Sequence, residues 1–233
     1  MSAALAIFVK TPGHSPIKTR LAAAIGEDNA IAFYQLAVTA VAQLAARTQE
    51  PACALRAYWA VAEAAALDDP VWRALPRIAQ GKGNLGARLH HVYSTLQARH
   101  GRVLLLGADA PQVTIALLRA ASAALDDPAT PFVLGNAHDG GFWLFGGRVP
   151  IPEAVWRGVH YSQARTADEL RSALMPLGRI AQLPRLTDVD TAPDLGALAD
   201  ALDALPEPLP AQRALRAWLQ TLSATPPTRE MHA

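Results

Sequence analysis

Short runs of Val, Leu, Ile and Ala alternate along this chain with longer stretches whose apolar residues recur at helical spacing. Ala4 to Val9 reads as a first strand, followed by a loop holding Pro12, Gly13 and Pro16. Asn29 to Arg47 is Ala-rich with helical periodicity, and Cys53 to Val61 reads as a second strand. Asp69 to Leu75 predicts a short helix, Arg77 to Gln80 a short third strand, Leu85 to Arg99 a helix, and Val103 to Gly107 a fourth strand. Thr114 is placed to cap a helix running to about Leu125. Phe132 to Asn136 and Gly141 to Gly146 predict two more strands. A Ser/Thr-rich start at Ser162 to Thr166 leads into a helix ending near Met175. Asp194 to Leu205 is a further helix, Pro206 to Pro210 a linker, and Ala211 to Leu222 a terminal helix. This alternation predicts an α/β fold. Residues 1–223 are read as one domain, and 224–233, which carry two prolines, as a flexible tail.

The most informative decamer is RVLLLGADAP, Arg102 to Pro111. Its apolar run is a buried parallel strand that enters a tight turn bearing one carboxylate, and Pro111 prevents the strand from continuing. Ligands of open α/β sheets sit beyond the carboxyl ends of the strands, so Asp109 stands where a metal or a ligand hydroxyl would be.

Composition narrows the class. An apolar fraction of 51% supports a substantial core, and a net charge of +1 without a basic stripe argues against nucleic-acid binding. A single cysteine, Cys53, provides neither a disulfide framework nor a cysteine zinc site. MSAALAIFVK is too short and wrongly flanked for a signal peptide, and no apolar run reaches the roughly 18 residues that span a bilayer. The expectation is a soluble cytoplasmic protein with no membrane or nucleic-acid partner.

Four segments could carry chemistry. The first loop, KTPGHSPIKTRL, follows a strand and closes with Lys18 and Arg20, a suitable cradle for phosphates; a solvated basic turn has the same composition. It lacks the P-loop spacing. Gly81, Gly83 and Gly86 form a literal G-x-G-x-x-G, but the preceding strand is short and polar, unlike one feeding a dinucleotide turn; a plain strand-to-helix turn is the alternative. In HDGGFWLFGG, Asp139 precedes two glycines that permit close backbone approach, and Asp-Gly is also a common hairpin turn. In LTDVDTAPDL, Thr191 and Asp194 suit a helix start, which leaves Asp188 and Asp190 unexplained; extended backbone puts both on one face. Asp109 with Asp190 would suit Mg²⁺, which is commonly held by one or two carboxylates together with substrate phosphates. The seven histidines show no metal spacing, and no G-x-S-x-G elbow exists to anchor a hydrolase triad.

IFVKTPGHSPIKTRL, QGKGNLGARL, LLLGADAP, LGNAHDGGFWLFG and LTDVDTAPDL occur in the order seen in the DUF2064 family, also called radical-SAM/selenodomain-associated transferase 1. The resemblance spans roughly residues 4–204. It implies a three-layer αβα, GT-A-like fold with a mostly parallel sheet, as in nucleotide-diphospho-sugar transferases. It also implies a divalent metal, Mg²⁺ or Mn²⁺, and a nucleotide or NDP-sugar donor. By position, Lys18 and Arg20 match the basic residues of the family's first loop, Asp109 its metal carboxylate, Asp139 the Asp of its Asp-Gly-Gly segment, and Asp190 the second metal ligand. The chain departs from the family at Ser15 and Pro16, where Gly and a basic residue are usual, with the glycine displaced to Gly13. Ala108 and Ala110 replace Ser and Cys, and Asn84 replaces Asp.

The resemblance thus implies a metal-dependent transferase, glycosyl or nucleotidyl. Asp109 and Asp190 would hold the metal. Lys10, Gly13, Lys18 and Arg20 would bind the donor phosphates, with Lys18 and Arg20 also stabilising charge in the transition state. Gly83, Asn84, Gly86 and Arg88 would lie along the nucleoside. Asp139 would bind or deprotonate an unknown acceptor. Two alternatives stay open: an NAD-dependent oxidoreductase using Gly81 to Gly86, and a non-catalytic nucleotide-binding protein.

Overall fold

In the computed structural model, which describes residues 3–48 and 54–224, the chain runs through β1 (Ala3–Val9), α1 (Thr19–Ile25), α2 (Glu27–Thr48), β2 (Leu55–Val61), β3 (Arg77–Ala79), α3 (Leu85–His100), β4 (Val103–Gly107), α4 (Ile115–Ala124), β5 (Phe132–Ala137), β6 (Phe142–Gly147), α5 (Glu153–Arg157), α6 (Thr166–Leu174), β7 (Ile180–Leu186), α7 (Ala192–Asp203) and α8 (Pro210–Ala224). The predicted strand start at Cys53 lies outside the described residues, as does the predicted tail apart from Ala224. The predicted helix over Asp69–Leu75 is a single 3-10 turn, Pro70–Trp72.

The strands form one sheet in the order β3-β2-β1-β4-β6-β5-β7. β6 alone runs against its neighbours; the other pairings are parallel. The strands at the centre read as unbroken apolar runs because both of their faces are covered. In β1, Ala3, Leu5, Ile7 and Val9 enter the core shared with α2 and α4, while Ala4 and Ala6 enter the core shared with α3, α5 and α6. A third cluster ties α1, α2, α7 and α8 together through Leu21, Phe33, Val189, Leu198 and Leu215. α2 is long and apolar enough to cross a bilayer, but half of its most apolar stretch is buried inside this fold.

Helix boundaries follow local chemistry. Thr114 accepts from Leu117 N at 3.2 Å, the cap expected for α4. Asn84 caps α3 by accepting from Ala87 N at 3.0 Å. Asp194 takes the backbone N–H groups of Asp190 and Thr191, closing a capping box that starts α7 two residues earlier than the pattern suggested.

The parallel arrangement decides where chemistry can occur. The chain passes from β1 to β2 and β3 on one side, then returns to place β4 on the other side of β1. The crevice at such a switch point is where open α/β sheets bind ligands. The loops after β1, β3, β4, β5 and β7 all emerge on this edge, and they carry the segments that the sequence singled out.

Candidate active site

A cleft of about 820 Å³ opens at that edge. It is lined by Lys10, Lys18 and Arg20 from the first loop and α1, by Gly83, Asn84 and Arg88 from the start of α3, and by Asp109, Asp139 and Asp190. Asp188 joins them. Nine of the expected site residues, drawn from across the sequence, therefore share one cavity.

At its centre is an ion pair across the switch point. Lys18 Nζ lies 2.9 Å from Asp109 Oδ1, with the lysine side chain 7% exposed. The ammonium also donates to Val189 O, while Val189 N donates to Asp109 O at 3.1 Å. The turns after β4 and β7 are thus locked to each other and to the first loop. Lys18 itself sits in the left-handed region at φ 46°, without a side-chain cap for α1, a conformation costly for a non-glycine residue. Burial works against its charge, but the carboxylates of Asp109, Asp188 and Asp190 outweigh that and raise its pKa. Arg20 reaches Asp190 at 3.0 Å in a more exposed pair.

Asp188 is the most perturbed acid. Burial pushes its carboxyl up to about 7; the charge of Asp109 adds to this, Lys18 opposes it, and Asp139 and Asp190 raise it further. The folded state therefore holds a proton that the unfolded chain releases near pH 4, so this group withdraws stability as pH rises from about 4 to about 7. Asp188→Asn is expected to melt above the parent at pH 8, with the gap closing toward pH 4. Each kcal/mol relieved adds roughly 2–4 °C in a chain of this size. Melting curves across that range check the prediction.

Asp139 folds back so that Oδ1 accepts from Gly141 N at 2.9 Å. The two glycines after it have separate reasons. Gly140 has φ +90°, and a Cβ there would collide with the backbone of Ala164; at Gly141 a Cβ would meet the carboxylate of Asp139, 3.2 Å from Oδ1. The close backbone approach anticipated for this turn is made by the 161–166 loop, which Ala167 N anchors by donating to Gly140 O at 2.9 Å.

Two expected ligand residues stand elsewhere. Gly13 does not line the cleft; it takes φ +82° in a turn where an added Cβ would meet nothing. Gly86 is buried, and its Cβ would lie 2.5 Å from Trp156 O. That glycine admits α5 against α3, and no ligand is needed to explain it. The G-x-G-x-x-G loop also follows an edge strand of three residues, in a sheet whose order is not that of a dinucleotide fold. His160 is paired with Glu169 at 3.0 Å, and neither His138 nor His160 lines the cleft.

Several residues that hold the site carried no sequence signal. Tyr34 grips the backbone of Lys10 twice, accepting from its N–H and donating to its carbonyl, both at 2.8 Å. Glu63 accepts from Thr11 N at 2.8 Å, and Trp72 Nε1 donates to Thr11 Oγ1 at 3.0 Å. Gln112 donates to Thr187 O at 2.7 Å, just ahead of Asp188. Gln212 of α8 donates to Pro111 O at 2.8 Å and Val113 O at 3.1 Å, and accepts from Leu209 N at 2.9 Å. Leaving such buried partners unsatisfied costs roughly 1–3 kcal/mol. Gln212→Leu should accordingly lower the Tm by a few degrees, checked by calorimetry against the parent.

The DUF2064 family model, described as an uncharacterized protein conserved in bacteria, matches residues 40–163, more than half of the chain. The chain belongs to the DUF2064 family. No curated protein matches this DUF2064 chain. Among solved structures it is similar to a candidate nucleotide-diphospho-sugar transferase from Desulfovibrio desulfuricans G20, at 25% identity and a TM-score of 0.80, over 95% of this chain and 99% of that one. It shares its fold with a cytidylyltransferase from Leptospira borgpetersenii at 12% identity, TM-score 0.54, over 96% of each chain. The same holds for the 4-diphosphocytidyl-2C-methyl-D-erythritol synthase of Anaerococcus prevotii, at 9% identity and TM-score 0.54, over 94% of this chain and 98% of that one. The fold of the DUF2064 chain is thus the expected α/β architecture, with its mostly parallel sheet.

Proposed function

We propose that this DUF2064 protein is a single-domain transferase that takes a nucleotide-activated donor, with a divalent cation at the donor phosphates. The observation that carries the reading is the Lys18–Asp109 pair at the switch point, its lysine side chain nearly buried, ringed by Asp139, Asp188 and Asp190 in one cleft. Its likeness to a candidate nucleotide-diphospho-sugar transferase supports the same class.

Among the described residues no three His, Cys, Asp or Glu side chains converge to cage a metal ion by themselves. The donor set nonetheless fits a hard cation shared with a substrate: Asp109, Asp139, Asp188 and Asp190 all face the cleft and offer oxygen ligands. Asp109 and Asp190 would hold Mg²⁺ or Mn²⁺, which when bound places positive charge on the donor's phosphate oxygens. Lys10, Lys18 and Arg20 orient the phosphates and stabilise the charge that develops on the leaving group. Gly83, Asn84 and Arg88 face the nucleoside. Asp139, with one oxygen fixed by Gly141, offers the other to an acceptor hydroxyl, which it positions or deprotonates.

The test is product analysis with Mg²⁺, a panel of NTPs and NDP-sugars, and sugars, alcohols and phosphate esters as acceptors. Release of a nucleoside diphosphate marks glycosyl transfer, and release of pyrophosphate marks nucleotidyl transfer. Neither product from any donor would contradict the proposal.

A further inference from the structure

The cleft has a second wall, away from the first loop. Phe8 and Gly107 are register partners on β1 and β4, and β6, next along the sheet, starts at Phe142. A Cβ at Gly107 would meet nothing nearer than Asp109 N at 4.0 Å, so the floor is open there. Phe8, Phe142 and Tyr161 are half-buried, pack against one core cluster and line the cleft around that opening. Tyr161 donates its hydroxyl proton to Trp156 O at 3.0 Å, which leaves its ring for the cavity. Ser162 and Gln163 follow; both are exposed and line the cleft, and neither side chain has a partner among the described residues. Ser162 sits at φ +60°, strain that an ordinary turn sheds through glycine. Thr166 fixes the loop: its Oγ1 donates to His160 O at 2.8 Å and accepts from Gln163 N at 3.2 Å.

Charge on this wall is one-sided. The turn bearing Asp139 is bound to the 161–166 loop through Ala167 N and Gly140 O. The basic residues of these two segments, His138, His160 and Arg165, do not line the cleft. Among the described residues the cleft's cations are Lys10, Lys18 and Arg20, from the first loop and α1, and Arg88. Arg88 Nε donates to Gly83 O at 3.0 Å, which ties its guanidinium to the turn ahead of α3. A phosphate or carboxylate on this wall would therefore lie beside Asp139 with no cation of the wall to pair it, a costly arrangement in a confined site. Aromatic faces joined to a neutral hydroxyl and a neutral amide suit a molecule that has an apolar face and hydroxyl groups.

We infer that the acceptor is an uncharged alcohol with an apolar face, a sugar or cyclic polyol, which lies on Phe8, Phe142 and Tyr161, hydrogen-bonds Ser162 and Gln163, and turns one hydroxyl to Asp139. The inference rests on the nucleotide-donor reading and adds the class of the second substrate: the acceptor carries neither phosphate nor carboxylate.

With Mg²⁺ and a saturating donor, initial rates are measured for hexoses and cyclitols, each beside its phosphate ester, its uronate or its amine. The uncharged member of a pair is expected to exceed its anionic partner about tenfold or more in kcat/KM. Gln163→Arg, a change at an exposed side chain, should narrow that gap by raising the rate with the phosphate ester and the uronate. Preference for the anionic member, or equal use of both, would overturn the inference, and so would a gap that Gln163→Arg leaves unchanged. Preference for the amine would make the acceptor a cation and overturn it as well. Where no pair turns over, melting of the donor-loaded protein with each compound decides: an uncharged compound should raise the Tm and its anionic partner should not, and no rise with any uncharged compound would overturn the assignment. Binding of no nucleotide would contradict the donor reading and the inference with it, an outcome distinct from a bound donor whose acceptors are chosen without regard to charge.

Discussion

Asp109→Asn is expected to lower product release by about a hundredfold or more while leaving the fold intact. The asparagine keeps the shape of the turn and an oxygen for Lys18, but it removes the charge at the point where three loops meet. Lys18 then holds a nearly buried ammonium whose ionic partner is gone, with only Val189 O and the more distant Asp188 and Asp190 in compensation. Asp109 is 34% exposed, so screening limits the stability loss to on the order of 1 kcal/mol, a few degrees in Tm. The expected pattern is a large loss of turnover beside a small loss of stability, read by product assay and melting curve on the same preparation. Undiminished turnover would remove Asp109 from the site.

The largest effect on stability is expected at Gly140→Ala. The backbone there has φ +90°, which strains any L-residue, and the new Cβ would overlap the Ala164 carbonyl. Either the Asp139 turn or the 161–166 loop must move, and the Ala167 N to Gly140 O bond that joins them is lost. Strain and overpacking together cost roughly 2–4 kcal/mol, a Tm drop on the order of 10 °C. Because Asp139, Tyr161, Ser162 and Gln163 all line the cleft, turnover should fall as well. Gly141→Ala is the control: its φ lies outside the left-handed region and its Cβ would press on the Asp139 carboxylate, 3.2 Å from Oδ1, so stability should change little while Asp139 is displaced. Thermal melts of the two variants side by side check the contrast.

The parts of this molecule that were legible in its sequence are those set by local chemistry. Val103–Gly107 was readable to the residue because a run buried on both faces ends in a turn that proline enforces. Thr114 announced its helix through its own hydroxyl. Asp109 stood out as a carboxylate in a tight turn after an apolar strand, Asp139 as one followed by two glycines, and Asp190 as one that helix-start chemistry left unexplained. What stayed hidden depends on distant partners. α1 starts at a strained lysine with no side-chain cap, so no signal marks it. β7 lies at the sheet edge, half exposed and interrupted by Pro184, which an edge tolerates and a pattern search rejects. The contact of the Asp188 turn with the Asp109 turn is made by the bond from Val189 N to Asp109 O, and the roles of Gln112 and Gln212 follow from carbonyls far away in the chain. Gly13 and Gly86 show the reverse: a glycine that serves a turn or helix packing looks, in sequence, like one placed for a phosphate, as at Gly13, or for a nucleoside, as at Gly86.

The central claim is that the Lys18–Asp109 cluster takes a nucleotide donor together with a divalent cation. The most direct measurement is thermal shift with NTPs, NDP-sugars and NAD(H), each in Mg²⁺ and in EDTA, for the parent and Asp109→Asn. A ligand at a hundred times its Kd adds about 2.7 kcal/mol to the native state. The account predicts that one nucleotide or NDP-sugar raises the Tm of the parent by roughly 5–10 °C with Mg²⁺. That rise should disappear in EDTA and in Asp109→Asn. Stabilisation by NAD(H) alone without metal, or no shift with any nucleotide, would contradict it.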